Sequence, residues 1–458
     1  MRRRTAIFSG GAAVAAALGY AGIEASGAAP GAVARLAPVG RDLARRDPSA
    51  SPAARAVFAM LADLENDARA GRTTKTVIGQ HVELHNELYN ADYGDYRGVK
   101  PPGYYYRKAW DITGKFPGFV EIDLGPGYGQ QGWGVDRPRP YSAAWPNHRA
   151  PWAYTDDAVD LAVGVWSGLP RAADGTYNTD GREPRSDGSA SALPSNGGRP
   201  AGLVGMSFHQ PWPGSPVKGY DETKRRNSPA VRDGDWITRL LTPGTADHEA
   251  LLHDLSFVAD HLAYLAAHDV PVLFRPYHEM NAGAQEGFWW SALAPDQYTR
   301  LWRTLYDYLV ETRNLHNLIF VWSPNAWDHL HGSEPWDYYP GERYVDVVGV
   351  DDYSGSPQQP FQGGVWTKRW YDGLADYGKP RVMAESFHVP VNSAQPHTLD
   401  TTPWVLWTVW GQGLTQHNVT APQGLNTPAD VKATYDSPRT LTAGPAGDGQ
   451  RWLALRQR

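Results

Sequence analysis

VPVLFRPYHEMN, residues 270–281, opens as an apolar run and then delivers Arg275, His278 and Glu279 within five positions. A buried strand is a short apolar stretch with β-branched and aromatic members, and an acid at its exit is costly to desolvate unless a solvent-lined site receives it. KPRVMAESF, residues 379–387, repeats the pattern and ends on Glu385. Six more strand-like runs flank these two, at Thr76 to Gly79, Phe119 to Leu124, Leu203 to Phe208, Leu318 to Trp322, Val345 to Val350 and Val405 to Val409. With Val270 to Phe274 and Arg381 to Ala384 they make eight. Helical stripes lie between several of them, such as Leu251, Leu255, Val258, Leu262 and Leu265, or Tyr298, Leu301, Trp302, Leu305, Tyr308 and Leu309. Val57, Met60, Leu61 and Leu64 form another ahead of the first strand. Eight strands alternating with helices predict an α/β fold, a (β/α)8 TIM barrel. A doubly wound open sheet alternates similarly, but polar and aromatic strand ends suit a barrel, whose active site gathers all of them.

The chain has 458 residues, 41% of them hydrophobic, enough for one large core. Its 43 Lys and Arg against 49 Asp and Glu leave a formal charge of -6, so there is no basic field to hold nucleic acid. The 19 Trp and 24 Tyr exceed what a core requires and suit an exposed groove for sugar rings. With no cysteine, disulfides, thiol nucleophiles and cysteine-bound metals are excluded. Arg2, Arg3 and Arg4 precede an apolar run from Ala6 to Leu18, the layout of an export signal over residues 1–29, by a twin-arginine or a plain route. Residues 30–51 read as a disordered linker, 52–445 as one catalytic domain and 446–458 as a tail. Within the domain, residues 125–200 form a long insertion after the second strand, with one helix expected over Asp156 to Trp166. Pro428 to Leu441 reads as a last helix and tail. The mature chain is expected to be a secreted monomer with no membrane span and no metal or organic cofactor.

Two familiar motifs fail on inspection. His278-Glu279 would need a second histidine where Ala282 stands to bind zinc, and Gly127, Gly129 and Gly132 precede VDRPRPY, which cannot open a phosphate-binding helix. Glycosidic cleavage needs one carboxyl kept protonated and a second kept ionised. Strands four and seven face each other across a barrel mouth, so Glu279 and Glu385 are expected about 5 to 5.5 Å apart, the spacing of a retaining enzyme. Either glutamate alone would more simply be a solvated or salt-bridged carboxylate. The negative charge of one should raise the pKa of the other.

RPYHEMN, the later FWW, VDDYS, and the glutamate of MAESF, in this order over roughly Pro52 to Leu441, resemble glycoside hydrolase family 26, best known for β-mannanases. The resemblance implies Glu279 as general acid/base and Glu385 as nucleophile. It implies that His209, in SFHQPW, contacts the attacked sugar, that Tyr353 donates to the nucleophile, and that Trp410 forms the floor beneath the sugar. His278 would help organise the site, although an adjacent strand residue faces away unless the backbone turns irregularly. Arg275 either tunes the carboxylates or braces the barrel through an ion pair. The family usually carries a tryptophan directly before FWW, where this chain has Gly287; Trp289 or Trp290 either compensates by binding sugar or anchors the following helix. Another β-glycan, such as β-1,3-xylan or mixed-linkage glucan, and a non-catalytic glycan-binding barrel are the competing expectations.

Overall fold

The computed structural model describes residues 36–72, 74–82, 104–124, 153–167, 202–216, 221–282, 287–291, 293–326, 334–353, 365–392, 397–414 and 426–443. Eight parallel strands close into a barrel: β1 Thr76–His81, β2 Phe119–Asp123, β3 Leu203–Phe208, β4 Val272–Pro276, β5 Leu318–Trp322, β6 Val347–Asp351, β7 Arg381–Ser386 and β8 Leu406–Val409. Closure is made by β8 on β1, with Val77 opposite Leu406 and Gln80 opposite Val409. Each strand follows an expected run to within two residues at either end. With helices between most strands, this is the (β/α)8 TIM barrel.

The helices form where the stripes place them. Helix α1, Pro52–Arg69, starts on Ser51, whose side chain accepts from the Ala54 amide, and has proline in its first turn. It buries Val57, Leu61 and Leu64. Helix α2, Tyr104–Thr113, joins β1 to β2, and α3, Ala153–Ser167, joins β2 to β3. The helix expected inside the long insertion is therefore the barrel's own β2–β3 helix, burying Val159, Leu161, Val165 and Trp166. Helix α4, Ala246–Ala267, buries its entire leucine and valine stripe. Helix α5, Pro295–Tyr306, continues as a π-helical segment, Asp307–Thr312, which still buries Leu309 but leaves Tyr308 half-buried.

Two boundaries differ from expectation. Residues 36–51, read as part of a spacer, pack on the barrel: Leu43 is buried, Arg46 pairs with Asp346 and Asp47 with His316 Nδ1 at 3.0 Å. Alternating Ala, Arg and Pro conceal these few anchoring contacts. The last helix, α6, is Pro428–Asp436, and the tail expected after it is not loose: Ser437-Pro438 turns the chain into a short strand, Thr440–Ala443. That strand lies parallel to the start of β1 and antiparallel to Phe116–Pro117. The signal at 1–29, the glycine loop at 127–132 and the tail at 446–458 lie outside the described residues.

Low in the barrel, the Phe119 ring lies against two glycines. Phe119 occupies the space where a Cβ at Gly79 or Gly205 would sit 2.6 or 2.2 Å from it, so glycine at those two positions makes room for the plug. Above Phe119 on the same face come Glu121 and then Asp123, both buried. Acids in the interior of a strand need partners, and these lead into the site.

Candidate active site

After β4 the backbone abandons extended geometry: Tyr277 and Glu279 take left-handed φ values of 46° and 54° on either side of His278. For non-glycine residues this costs on the order of 1–3 kcal/mol each and persists only where the surroundings hold it. Here three consecutive carbonyls are caught by side chains. Tyr298 donates its hydroxyl to the Tyr277 carbonyl at 2.9 Å, Trp290 Nε1 to that of His278 at 2.7 Å, and Ser291 Oγ to that of Glu279 at 2.9 Å. The Glu279 amide donates to the Ser323 carbonyl beyond β5 at 2.9 Å. The irregular turn brings His278 and its neighbour Glu279 to the same barrel mouth.

Glu385 arrives by a different distortion. Val350 of β6 pairs with Met383, but Asp351 pairs with Glu385, so Ala384 is skipped; on the other side Ala384 and Glu385 together oppose Thr408. Val382 and Ala384 press on Gly349 inside the barrel, whereas Arg381 points outward to Glu65 of α1, 2.8 Å away. Strict alternation would send Glu385 outward with Arg381. The extra residue of this β-bulge turns it inward.

There Glu385 meets Arg275, whose guanidinium is fully engaged. Nε and Nη2 donate to the two oxygens of Glu121 at 2.7 and 3.2 Å. Nη1 donates to Asp351 Oδ2 at 3.0 Å and Ser323 Oγ at 3.4 Å, and Nη2 also donates to Glu385 Oε1. Burial opposes the guanidinium charge, but Glu121, Asp351 and Glu385 together hold it firmly protonated. The second oxygen of Glu385 accepts from the Tyr353 hydroxyl. Burial and the nearby Glu385 charge push that phenol well above its usual value, so it remains a donor. A guanidinium and a phenol on its two oxygens are the donor set of an ionised carboxylate.

Glu279 is in the opposite condition. Part of its side chain is accessible, yet burial and then the charge of Glu385 raise its carboxyl to about 7, against the opposing pull of a 2.8 Å hydrogen bond from Asn325 Nδ2. Burial and a charged neighbour thus favour the proton on Glu279, while donors cover both oxygens of Glu385.

Beside them runs a buried chain of hydrogen bonds. Asp123 Oδ1 accepts from the His209 amide and from His209 Nδ1, both at 3.0 Å, and from Ser207 Oγ at 3.3 Å. With Nδ1 of His209 donating, its Nε2 accepts from His278 Nε2 at 3.1 Å. Burial, with the charge of Arg275, pushes His278 well below its usual value, which keeps it neutral as this assignment requires. At the other end His81 Nε2 lies 3.3 Å from Ser207 Oγ, and the His81 ring stacks on Trp410 with centroids 4.1 Å apart. Phe288 meets His209 at 5.0 Å and His278 at 5.5 Å, with Lys224 Nζ 4.7 Å from its ring centre.

The structure thus brings together Glu279, Glu385, His209, His278, Tyr353, Trp410 and Arg275. Two side chains with alternative expected roles, Trp290 and Arg275, sit in the framework. Trp290 is fully buried, stacked on Phe288 at 4.5 Å, and spends its N–H on the His278 carbonyl. Arg275 is buried with all of its donors committed to carboxylates and Ser323, so neither side chain is available to a sugar. Trp289 is equally buried, donating to the Gln210 carbonyl at 2.8 Å. His278, Asp351 and Glu385 offer ligand atoms within 4.8 Å of one another, but Arg275 already supplies the cation there. Sequence reading missed Glu121, Asp123, Asp351, Asn325, His81 and Phe288. The acids of FVEID, alternating inside an apolar run, were a readable signal.

The sequence model for Glycosyl hydrolase family 26 matches residues 173–380. That span, a little under half of the chain, is similar to this family. The matched segment includes Glu279 and ends just before Glu385. A mannan endo-1,4-beta-mannosidase of Bacillus subtilis is 34% identical over 193 residues, 40% of this chain and 47% of that protein. One from Thermothelomyces thermophilus is 31% identical over 245 residues, 53% of this chain and 43% of that protein. The chain thus spans about half the length of these relatives or less. Among solved structures, the barrel is similar to a beta-(1,4)-mannanase of Podospora anserina, with a TM-score of 0.57, 22% identity, and coverage of 94% of this chain and 72% of that one. It is also similar to a mannanase of Bacillus subtilis, with a TM-score of 0.56, 21% identity, and coverage of 88% and 96%. At such identities the structural likeness speaks for the fold.

Proposed function

We propose that the chain is a secreted, retaining glycoside hydrolase that cleaves β-1,4-mannosidic linkages in mannan-type polysaccharides. One observation carries this reading: Glu279, raised to about 7 by burial and by Glu385, shares a mouth with a carboxylate that accepts from Arg275 and Tyr353. Glu279 is then the protonated donor to the leaving oxygen while Glu385 attacks the anomeric carbon. Once Glu385 is an ester its charge is gone, Glu279 becomes more acidic, and it takes a proton from the water that completes the second displacement. His209 and His278, their ring nitrogens ordered by Asp123, line the place of the attacked sugar, and Trp410 offers a ring face to its C–H groups. This chemistry requires no cofactor.

The names of the related proteins support mannan as substrate. Export rests on Arg2 to Arg4 and the apolar run that follows; no helix among the described residues is long and apolar enough to cross a membrane. A monomeric catalytic domain ending near residue 445 completes the reading. Incubation with mannan, glucomannan, galactomannan, β-1,3-xylan and mixed-linkage glucan tests it: mannan should be shortened, with the β-anomer seen first by NMR. Oligosaccharide affinity without any product would instead make this a binding barrel. Gly287, whose carbonyl accepts from the Arg225 amide where the family usually has a tryptophan, favours one second reading, the same chemistry on another β-glycan.

A further inference from the structure

One guanidinium faces three buried carboxyl groups in the barrel interior: Glu121 from β2, Asp351 from β6 and Glu385 from β7. Among the described residues the only other basic group within ion-pair distance is His278, 3.8 Å from Glu385, and its burial beside Arg275 keeps it neutral. Three buried negative charges on one buried positive charge is an expensive arrangement, and a proton on one carboxyl relieves it. The hydrogen bonds say which one. Glu121 accepts on both oxygens from Arg275, and Glu385 accepts on both, from Arg275 and Tyr353. Asp351 accepts only on Oδ2, while its Oδ1 is buried and meets no hydrogen-bond partner among the described residues. An ionised oxygen without a donor bears the full cost of desolvation, and a neutral carboxyl bears far less.

We propose that Asp351 holds a proton in the resting enzyme and releases it when Glu385 becomes glycosylated, so that it balances the charge of the nucleophile without touching substrate. In balance, a Glu385 oxygen bonds to the anomeric carbon and the leaving group departs with the electron pair of the broken bond. The Asp351 O–H then ionises, its proton goes to solvent, and the new carboxylate takes over the charge that Glu385 gave up beside Arg275. The groups that face Asp351 agree with this order. Burial, then the charges of Glu385, Glu279 and Glu121, push its carboxyl well above the usual value against Arg275. Burial raises Glu121 as well, but its two-pronged grip on Arg275 favours the ionised form.

The covalent half of this inference rests on Glu385 being the nucleophile, so the test separates the two. Glu279→Gln removes the other proton that glycosylation would release. That variant is mixed with 2,4-dinitrophenyl 2-deoxy-2-fluoro-β-mannoside, whose leaving group needs no acid, in dilute buffer with a pH indicator. Peptide mass analysis reports the label on Glu385, and the indicator reports protons. About one proton per label is expected, falling to none in Glu279→Gln/Asp351→Asn. A label without a proton overturns the inference and leaves the function standing; labelling elsewhere or not at all overturns the function. Infrared spectra of the unlabelled proteins are independent of that chemistry. Glu279→Gln at neutral pH should show a protonated-carboxyl stretch that Asp351→Asn removes, and its absence, or its persistence in the double variant, sinks the proposal.

Discussion

The exits of β4 and β7 deliver one carboxyl each to the same mouth by unlike means. At β4 the backbone is strained, with two left-handed residues in three, and the strain is held by a clamp of Tyr298, Trp290 and Ser291 on successive carbonyls. At β7 no residue takes a left-handed φ; one additional residue in the strand suffices to turn Glu385 inward. The difference matches the two tasks proposed for them. An acid/base at Glu279 would need to stay partly accessible, with a movable proton, whereas a nucleophile at Glu385 would need to be fixed, and the interior of a strand fixes it against Arg275 and Tyr353.

The largest test of that contrast removes the carboxyls. Glu385→Gln should lower mannan hydrolysis by at least about 10⁴-fold on every substrate. Glu279→Ala should cost about 10²- to 10⁴-fold on mannan but far less on a dinitrophenyl mannoside, with azide restoring turnover as a β-azide product. Equal losses on both substrates for both variants would erase the division of labour. Next in size is the pH profile. With Glu279 raised to about 7, kcat/KM should hold below that value and fall as pH rises through it. The same sign governs stability: a carboxyl raised on folding favours the protonated folded state, so its contribution is present at low pH and is lost as pH climbs from the ordinary carboxylate range through about 7. Asn325→Ala, which removes a donor to the charged form, should move that limb upward; a downward shift would refute the role given to Asn325.

Smallest are the clamp variants. Tyr298→Phe should destabilise by about 1 kcal/mol in denaturant titrations and lower kcat through Glu279 placement. Trp290→Phe keeps the ring but loses its hydrogen bond to the His278 carbonyl, and should cost a similar or lesser amount. If kcat is untouched in both while stability falls, the clamp holds the fold and not the acid.

Much of this was legible before any coordinates. The eight strands declared themselves because buried parallel strands are continuous apolar runs, and the two glutamates stood out because each ends such a run. The distortions that aim those glutamates were not legible. A bulge at Ala384 leaves no mark on an apolar periodicity, and nothing in Tyr277 or Glu279 as residue types announces a left-handed backbone. For the same reason FWW could be read as sugar platforms: ring composition is visible, but that Trp290 spends its N–H on a neighbouring carbonyl is a tertiary fact. His81 and Asp351 escaped because their meaning lies in partners far away along the chain.

The short strand Thr440–Ala443 has a consequence for how the protein is made. It borders the lower end of β1, where the Thr76 amide donates to the Arg439 carbonyl at 2.8 Å. The first barrel strand to leave the ribosome therefore stays unfinished along one edge until nearly all the described chain has emerged. Such far-apart pairing makes for slow maturation and a nascent polypeptide dependent on shielding. Clipping the chain before residue 439 would strip the start of the first strand of this neighbour, although the cut lies at the other end of the sequence.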